Sequence, residues 1–175
     1  MDRCDTCGDV ISFCKCYEDF IDNLESTSDK SNNPNMLDLA IDEARYYHRN
    51  DRDKAGKPYL GHLIRVMNLL DSEEEKIVGV LHDIVEDGHV DLEYLRAKSF
   101  NDRIIDAINA VTKRKNETYE MFIKRVSRNP LAIKVKLADL EDNMDISRLD
   151  EITAKDRDRI EKYKRAKEYL INKLA

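Results

Sequence analysis

Val80-Leu81-His82-Asp83-Ile84-Val85-Glu86-Asp87 sets four ionisable side chains into an apolar run. Burying such groups among Val, Ile and Leu is costly unless a metal, a partner or water compensates them. The spacing predicts a helix over about 73–86, with Ile77, Val78, Leu81, Ile84 and Val85 on its inner face. On that helix His82 and Glu86 are i, i+4, as are Asp83 and Asp87, so each pair stacks on one side. Adjacent His82 and Asp83 lie about 100° apart around the axis, and they can converge on one cation if other helices complete the shell. In a chain with 38 % charged residues the bland alternative is a solvated acidic face. Against it stands the placement of His and Asp inside the apolar stripe.

Outward from this stretch the pattern stays helical. Leu37, Ala40, Ile41 and Ala44 follow i, i+3, i+4, i+7, and Leu63, Val66, Met67 and Leu70 do the same over about 60–70. Shorter helices are expected near 91–98, 101–112 and 117–127. Pro130 suits the first turn of a helix running through Val135 and Leu137 to about Asn143. A last helix, roughly 153–174, is expected to bury Ile160, Tyr163, Leu170 and Leu174. No segment alternates with period two, so the expected class is all-α, with one main domain over 36–175. Two further polar residues interrupt apolar surroundings. His62 opens a helix in Pro58-Tyr59-Leu60-Gly61-His62, and Asp139 breaks Val135-Lys136-Leu137-Ala138-Asp139-Leu140, with Asn143 one turn on. A mixed imidazole and carboxylate shell suits Mn²⁺, Fe²⁺ or Zn²⁺ better than Ca²⁺.

The first 35 residues read differently. All four cysteines, Cys4, Cys7, Cys14 and Cys16, fall within 1–20. In a reducing compartment they suggest a small structural zinc knuckle, with Gly8 allowing a tight turn. Disulfides are the alternative, weakened by the lack of a secretory signal. A knuckle this small buries almost no core, so zinc would fold it, and it could serve a homo-oligomer or a protein partner. Tyr17–Glu25 could form a short helix, and 21–35, rich in Ser and Asn, reads as a linker. The formal net charge of −6 argues against sequence-independent binding to nucleic acid. No apolar run reaches the roughly 18–20 residues that span a bilayer, and Met1-Asp2-Arg3-Cys4 lacks the apolar core of a signal peptide. A cytoplasmic protein that meets no membrane is expected.

The order His62, then His82-Asp83, then Asp139 resembles the H…HD…D signature of the HD phosphohydrolase superfamily. Within it, the chain is similar to the hydrolase domain of bifunctional alarmone (ppGpp) synthetase/hydrolases and to the small alarmone hydrolases. Lys54-Ala55-Gly56-Lys57-Pro58-Tyr59…His62 matches the latter part of R-K-x-G-x-P-Y-x-x-H. Leu81–Asp87 matches L-H-D-x-V-E-D, Val111-Thr112-Lys113 matches V-T-K, and Val135–Asp139 plus Asn143 matches V-K-L-A-D-x-x-x-N. The motifs occur in order over about 40–148. The resemblance implies an HD helical bundle and one divalent metal, usually manganese, on His62, His82, Asp83 and Asp139. Glu86 and Asp87 would orient and deprotonate the attacking water, and Lys54 and Asn143 would line the nucleotide pocket. Strict spacing puts Asp53 where the family has Arg, so Arg52 serves only if the loop shifts by one residue. Arg52 and Lys54 could equally solvate a loop. His48 matches a frequent family His that is not a ligand and reads as structural; His89 reads as incidental.

Departures bear on substrate. Leu63 stands for the family's Pro after the first ligand, and Gly88 for its Thr after E-D. Around Asn143 the basic D-R-L-H-N-M-R becomes Asp139-Leu140-Glu141-Asp142-Asn143-Met144-Asp145, whose added acids would repel a highly phosphorylated nucleotide. The residues from 36 to 175 carry no synthetase domain. The expected activity is metal-dependent hydrolysis of a phosphorylated nucleotide, like the 3′-pyrophosphohydrolysis of guanosine 3′,5′-bis(diphosphate). The alternatives are a nucleotidase or nucleotide phosphatase on the same scaffold, and a nucleotide-sensing module that recruits a protein through the knuckle. Glu86 and Asp87 favour the enzyme, because a sensor needs no water-activating carboxylates.

Overall fold

The computed structural model describes residues 35–147 and 151–174. The expected knuckle, the Tyr17–Glu25 helix and the linker before Asn35 lie outside them. Among the described residues there are eight helices and no strand, apart from a lone bridge between Arg52 and Pro58. They are α1 (Met36–Tyr47), α2 (Leu60–Asn68), α3 (Glu73–Leu81), α4 (Leu92–Ala97), α5 (Asp102–Val111), α6 (Tyr119–Val126), α7 (Pro130–Met144) and α8 (Ala154–Leu174). The all-helical expectation therefore holds.

Local chemistry starts most of these helices. Asn35, Asp91, Asn101, Thr118 and Asn129 each accept a backbone N–H of the first turn, which satisfies a donor the helix itself leaves free. Ser72 and Glu75 cap α3 reciprocally in a capping box. Helix α3 sits at the centre and packs on α1, α2, α5 and α7, while α8 lies on α6 and α7. Its Ile77, Val78, Val80 and Leu81 are wholly buried or nearly so. Burial of one such side chain contributes roughly 1.5–3 kcal/mol. Gly79 lets α2 and α3 approach: a Cβ there would lie 2.5 Å from Leu70 Cδ1 and 3.5 Å from the Met67 Cα.

Two expectations need correction. Helix α3 stops at Leu81, not near 86, and His82–Gly88 form successive turns. The Ile84 N–H bonds the Leu81 carbonyl one residue early, and the Ile84 carbonyl is then taken by the N–H groups of His89 and Val90. Gly88, at φ +75°, reverses the chain at a conformation a Thr would resist. The i, i+4 stacking of His82 with Glu86 is thus replaced by turn geometry. On α8, Leu170 and Ala166 are buried, Ile160 and Tyr163 only partly, and Leu174 is 45 % exposed.

Candidate metal centre and active site

Three helices bring the expected ligands together. His62 sits in the first turn of α2, His82 caps α3, and Asp139 lies in the middle of α7. One donor atom from each lies within 4.8 Å of the other two, and all three residues are buried. His62 Nε2 is 3.3 Å and His82 Nε2 is 3.5 Å from the same Asp139 Oδ1. Asp83 Oδ2 stands beside them, 3.0 Å from His82 Nε2 and 3.8 Å from His62 Nε2.

The outer contacts decide which atoms face inward. His82 Nδ1 lies 2.8 Å from the Gly79 carbonyl, which can only accept, so Nδ1 carries the proton of the neutral ring. Its Nε2 is buried with no hydrogen-bond partner. His62 Nδ1 lies 2.7 Å from Asp142 Oδ2, and Arg65 clamps the same carboxylate through Nε at 2.6 Å and Nη2 at 3.2 Å. Both imidazoles thus aim Nε2 at carboxylate oxygens. That arrangement is repulsive unless a proton or a cation lies between them. This donor set fits a divalent metal ion, with the second-contact pattern that orients metal-binding histidines. Burial opposes charging His82, yet the Asp83 and Asp139 carboxylates raise its pKa well above the usual value. Burial likewise opposes ionising Asp139, but Lys136, His62 and His82 hold its pKa well below the carboxylate range. Lys136 donates to Asp139 Oδ2 at 2.6 Å and Asn143 Nδ2 to Oδ1 at 2.5 Å. The Tyr59 hydroxyl donates to Asp83 Oδ2 at 2.5 Å.

Glu86 and Asp87 follow in the turns. The Lys113 N–H donates to Glu86 Oε2 at 2.7 Å, which ties the turn to the Val111-Thr112-Lys113 segment. Burial raises the pKa of Glu86; burial and then the charge on Asp83 push Asp87 up to about 6. A cleft of about 230 Å³ opens next to His62, lined by Arg52, Lys54, Tyr59, Asn143, Asp145 and Arg159 among others. Arg52, Asp53 and Lys54 all border it. Asp53 takes a structural part, its Oδ1 accepting the N–H groups of Ala55 and Lys57. Of the three acids expected to repel phosphates, Asp142 and Asp145 border the cleft, but Asp142 is matched by His62 and Arg65, and Glu141 instead pairs with Lys167. His89 is not incidental, because its Nε2 meets Asp51 Oδ2 at 2.9 Å.

Sequence reasoning missed Tyr59 as a partner of Asp83, Lys136 and Asp142 as supports of the ligands, and Arg159 in the cleft. For Asp142 a signal existed: it lies one turn from Asp139 on the same face of α7. Arg159 carried none on so charged a helix.

The fold and the site together define an all-helical domain with a buried centre of two imidazoles and a carboxylate suited to a divalent metal. In sequence the chain is similar to alarmone enzymes. It is 30 % identical over 122 residues to a GTP pyrophosphokinase of Streptomyces coelicolor, covering 62 % of this chain and 14 % of that protein. It is 28 % identical over 145 residues to a probable guanosine-3′,5′-bis(diphosphate) 3′-pyrophosphohydrolase of Synechocystis, covering 74 % and 19 %. The chain thus spans less than a fifth of the length of these relatives. In fold it matches a metazoan ortholog of SpoT, a protein described as hydrolysing ppGpp, with a TM-score of 0.65 at 23 % identity over 78 % of this chain and 86 % of that one. No family model matches. The resemblance read from the motifs is borne out by these relatives, and no described helix is long and apolar enough to cross a membrane.

Proposed function

We propose that the chain is an HD-type, metal-dependent phosphohydrolase acting on guanosine 3′,5′-bis(diphosphate) or a closely similar nucleotide. The observation that carries this reading is the convergence of the His62 and His82 Nε2 atoms on Asp139 beside Asp83, next to a cleft bordered by His62, Arg52, Lys54 and Arg159. His62, His82, Asp83 and Asp139 would hold the ion, and manganese, iron or zinc suits their chemistry. When bound, such an ion polarises a phosphoryl oxygen and acidifies water.

The remaining steps belong to the side chains. Lys54, Arg159 and Arg52 bind the phosphates, and Asn143 borders the nucleotide while holding Asp139 in place. Glu86 and Asp87 orient a water, and one carboxylate takes its proton as the oxygen attacks phosphorus. The bond between the ribose 3′ oxygen and its diphosphate breaks. The 3′ oxygen recovers a proton, and pyrophosphate leaves with the water's oxygen. The partner is thus a small nucleotide, with no nucleic acid or membrane required. For the N-terminal residues we retain the proposal of zinc on Cys4, Cys7, Cys14 and Cys16 in a knuckle over 1–20, joined by a linker over 21–35 to the hydrolase domain over 36–175.

The test is release of phosphate and pyrophosphate from a panel of guanosine tetraphosphate, nucleoside 3′-phosphates and dinucleotide phosphates, with Mn²⁺ and with chelator. Metal-dependent pyrophosphate release from the tetraphosphate is expected. Phosphate release from another member keeps the hydrolase and moves the substrate. Silence across the panel with metal bound overturns the enzyme.

A further inference from the structure

A second cluster of metal-binding side chains lies next to the first. His48 caps the C-terminus of α1, Asp51 follows in the connecting loop, and Asp87 and His89 flank Gly88. Asp51 Oδ2 is 2.9 Å from His48 Nδ1 and 2.9 Å from His89 Nε2. Asp87 Oδ2 lies 3.9 Å from His48 Nδ1. One donor atom from each of the four falls within 4.8 Å of the other three. Donors around a tetrahedral ion with bonds of about 2.0–2.2 Å stand roughly 3.3–3.6 Å apart, and the observed separations bracket that value.

Charge points the same way. Among the described residues, the ion pairs of Asp51 and Asp87 are with these imidazoles alone, and no Lys or Arg neutralises either carboxylate. Two carboxylates with two imidazoles would be matched by one ion of charge +2. The site is also held ready. The His48 side chain is completely buried, and its ring packs edge-to-face on His89 at 4.5 Å between centroids. The Asp51, Asp87 and His89 side chains are partly exposed, which leaves a route for entry. Imidazole nitrogens select against calcium and magnesium.

We propose that His48, Asp51, Asp87 and His89 bind a second divalent transition-metal ion, of the zinc, iron and manganese class, distinct from the ion at His62, His82 and Asp139. The two clusters are neighbours, since the Tyr59 ring packs against both His48 and His62, at 5.2 and 5.3 Å. Asp87 belongs to both readings, but binding at the second cluster does not depend on the hydrolase reading.

The test counts zinc bound per full-length chain after stripping with chelator and dialysis against Zn²⁺, for wild type and for Asp51→Asn, His89→Gln and His82→Ala. Asp51 and His89 lie in loops outside the core, so these two variants leave the helices in place. The expected result is one fewer ion per chain in Asp51→Asn and in His89→Gln than in wild type, and a further ion lost when either is combined with His82→Ala. Counts equal to wild type in both loop variants overturn the second site. Unchanged counts in His82→Ala alone overturn the first centre and leave the second standing.

Discussion

His62 Nδ1 lies 2.7 Å from Asp142 Oδ2, a contact across 80 residues of chain that joins the first turn of α2 to the last turn of α7. It settles which imidazole nitrogen faces the proposed metal. Asp142 accepts the Nδ1 proton, Arg65 holds Asp142 from the far side, and Nε2 is left facing Asp139. An acid that the sequence suggests should repel substrate is thereby committed to orienting a ligand.

Asp142→Asn should therefore weaken metal binding without removing a ligand. Loss of such an outer partner costs about 10–100-fold in metal affinity or activity. A Mn²⁺ titration of the chain and the variant, read as apparent Kd, checks this. Equal affinities would show that the His62 orientation is held by packing alone.

His82→Ala and Asp83→Ala should abolish both metal uptake at this centre and turnover. Glu86→Gln should keep the metal and lose about 10²–10⁴-fold in kcat, the usual contribution of a positioned general base. Metal content and kcat measured on the same preparations separate the two classes. Wild-type turnover in Glu86→Gln would remove it from the mechanism.

The helices were legible because α1, α2 and α3 carry apolar residues at helical spacing, and Ala40, Ile41, Val66, Ile77 and Leu81 are buried as that spacing requires. His62, His82 and Asp139 were legible for a related reason: polar residues inside an apolar stripe need compensation, and here they meet one another. The stretch after Leu81 was not legible, because Ile84, Val85, Glu86 and Asp87 continue a helical pattern locally. Its path depends on a bond from the Lys113 N–H to Glu86 and on the reversal at Gly88, neither of which periodicity encodes. The same holds for Asp142, whose Arg65 partner lies 77 residues away, and for Arg159, one cation among many on α8.

Lys54 and Arg159 border one cleft from opposite ends of the chain. Burial and the nearby Arg159 charge lower the Lys54 pKa, an effect that Asp156, paired with Arg159 at 3.3 Å, partly offsets. Arg159 also has its Nε buried without a hydrogen-bond partner. Lys54→Ala and Arg159→Ala should each raise KM about 10–100-fold, given roughly 1.5–3 kcal/mol for a hydrogen bond to a charged group. Metal affinity should stay unchanged. Steady-state kinetics with the nucleotide that the panel identifies provide the check, and an unchanged KM in Arg159→Ala would place the phosphates elsewhere.

Stability should depend on acid through Glu117. Its carboxylate pairs with Arg125, with Nη2 to Oε2 at 2.7 Å and Nε to Oε1 at 2.9 Å, and Arg125 also donates to the carbonyls of Asn109, Ala110 and Thr112. Both side chains are largely buried, at 10 and 16 % exposure. The Arg125 hydrogen bonds hold the Glu117 pKa down to about 2, from 4.5 for a free side chain. A depressed carboxylate pKa means that the unfolded chain binds the proton more readily. The stabilisation is thus complete above about 4.5 and is lost as pH falls toward about 2. Glu117→Gln should cost about 2–3 kcal/mol at neutral pH. Denaturant unfolding of both proteins across this acid range should show the difference between them shrinking as pH falls. A difference that stays constant with pH would mean that the pair acts through shape rather than charge.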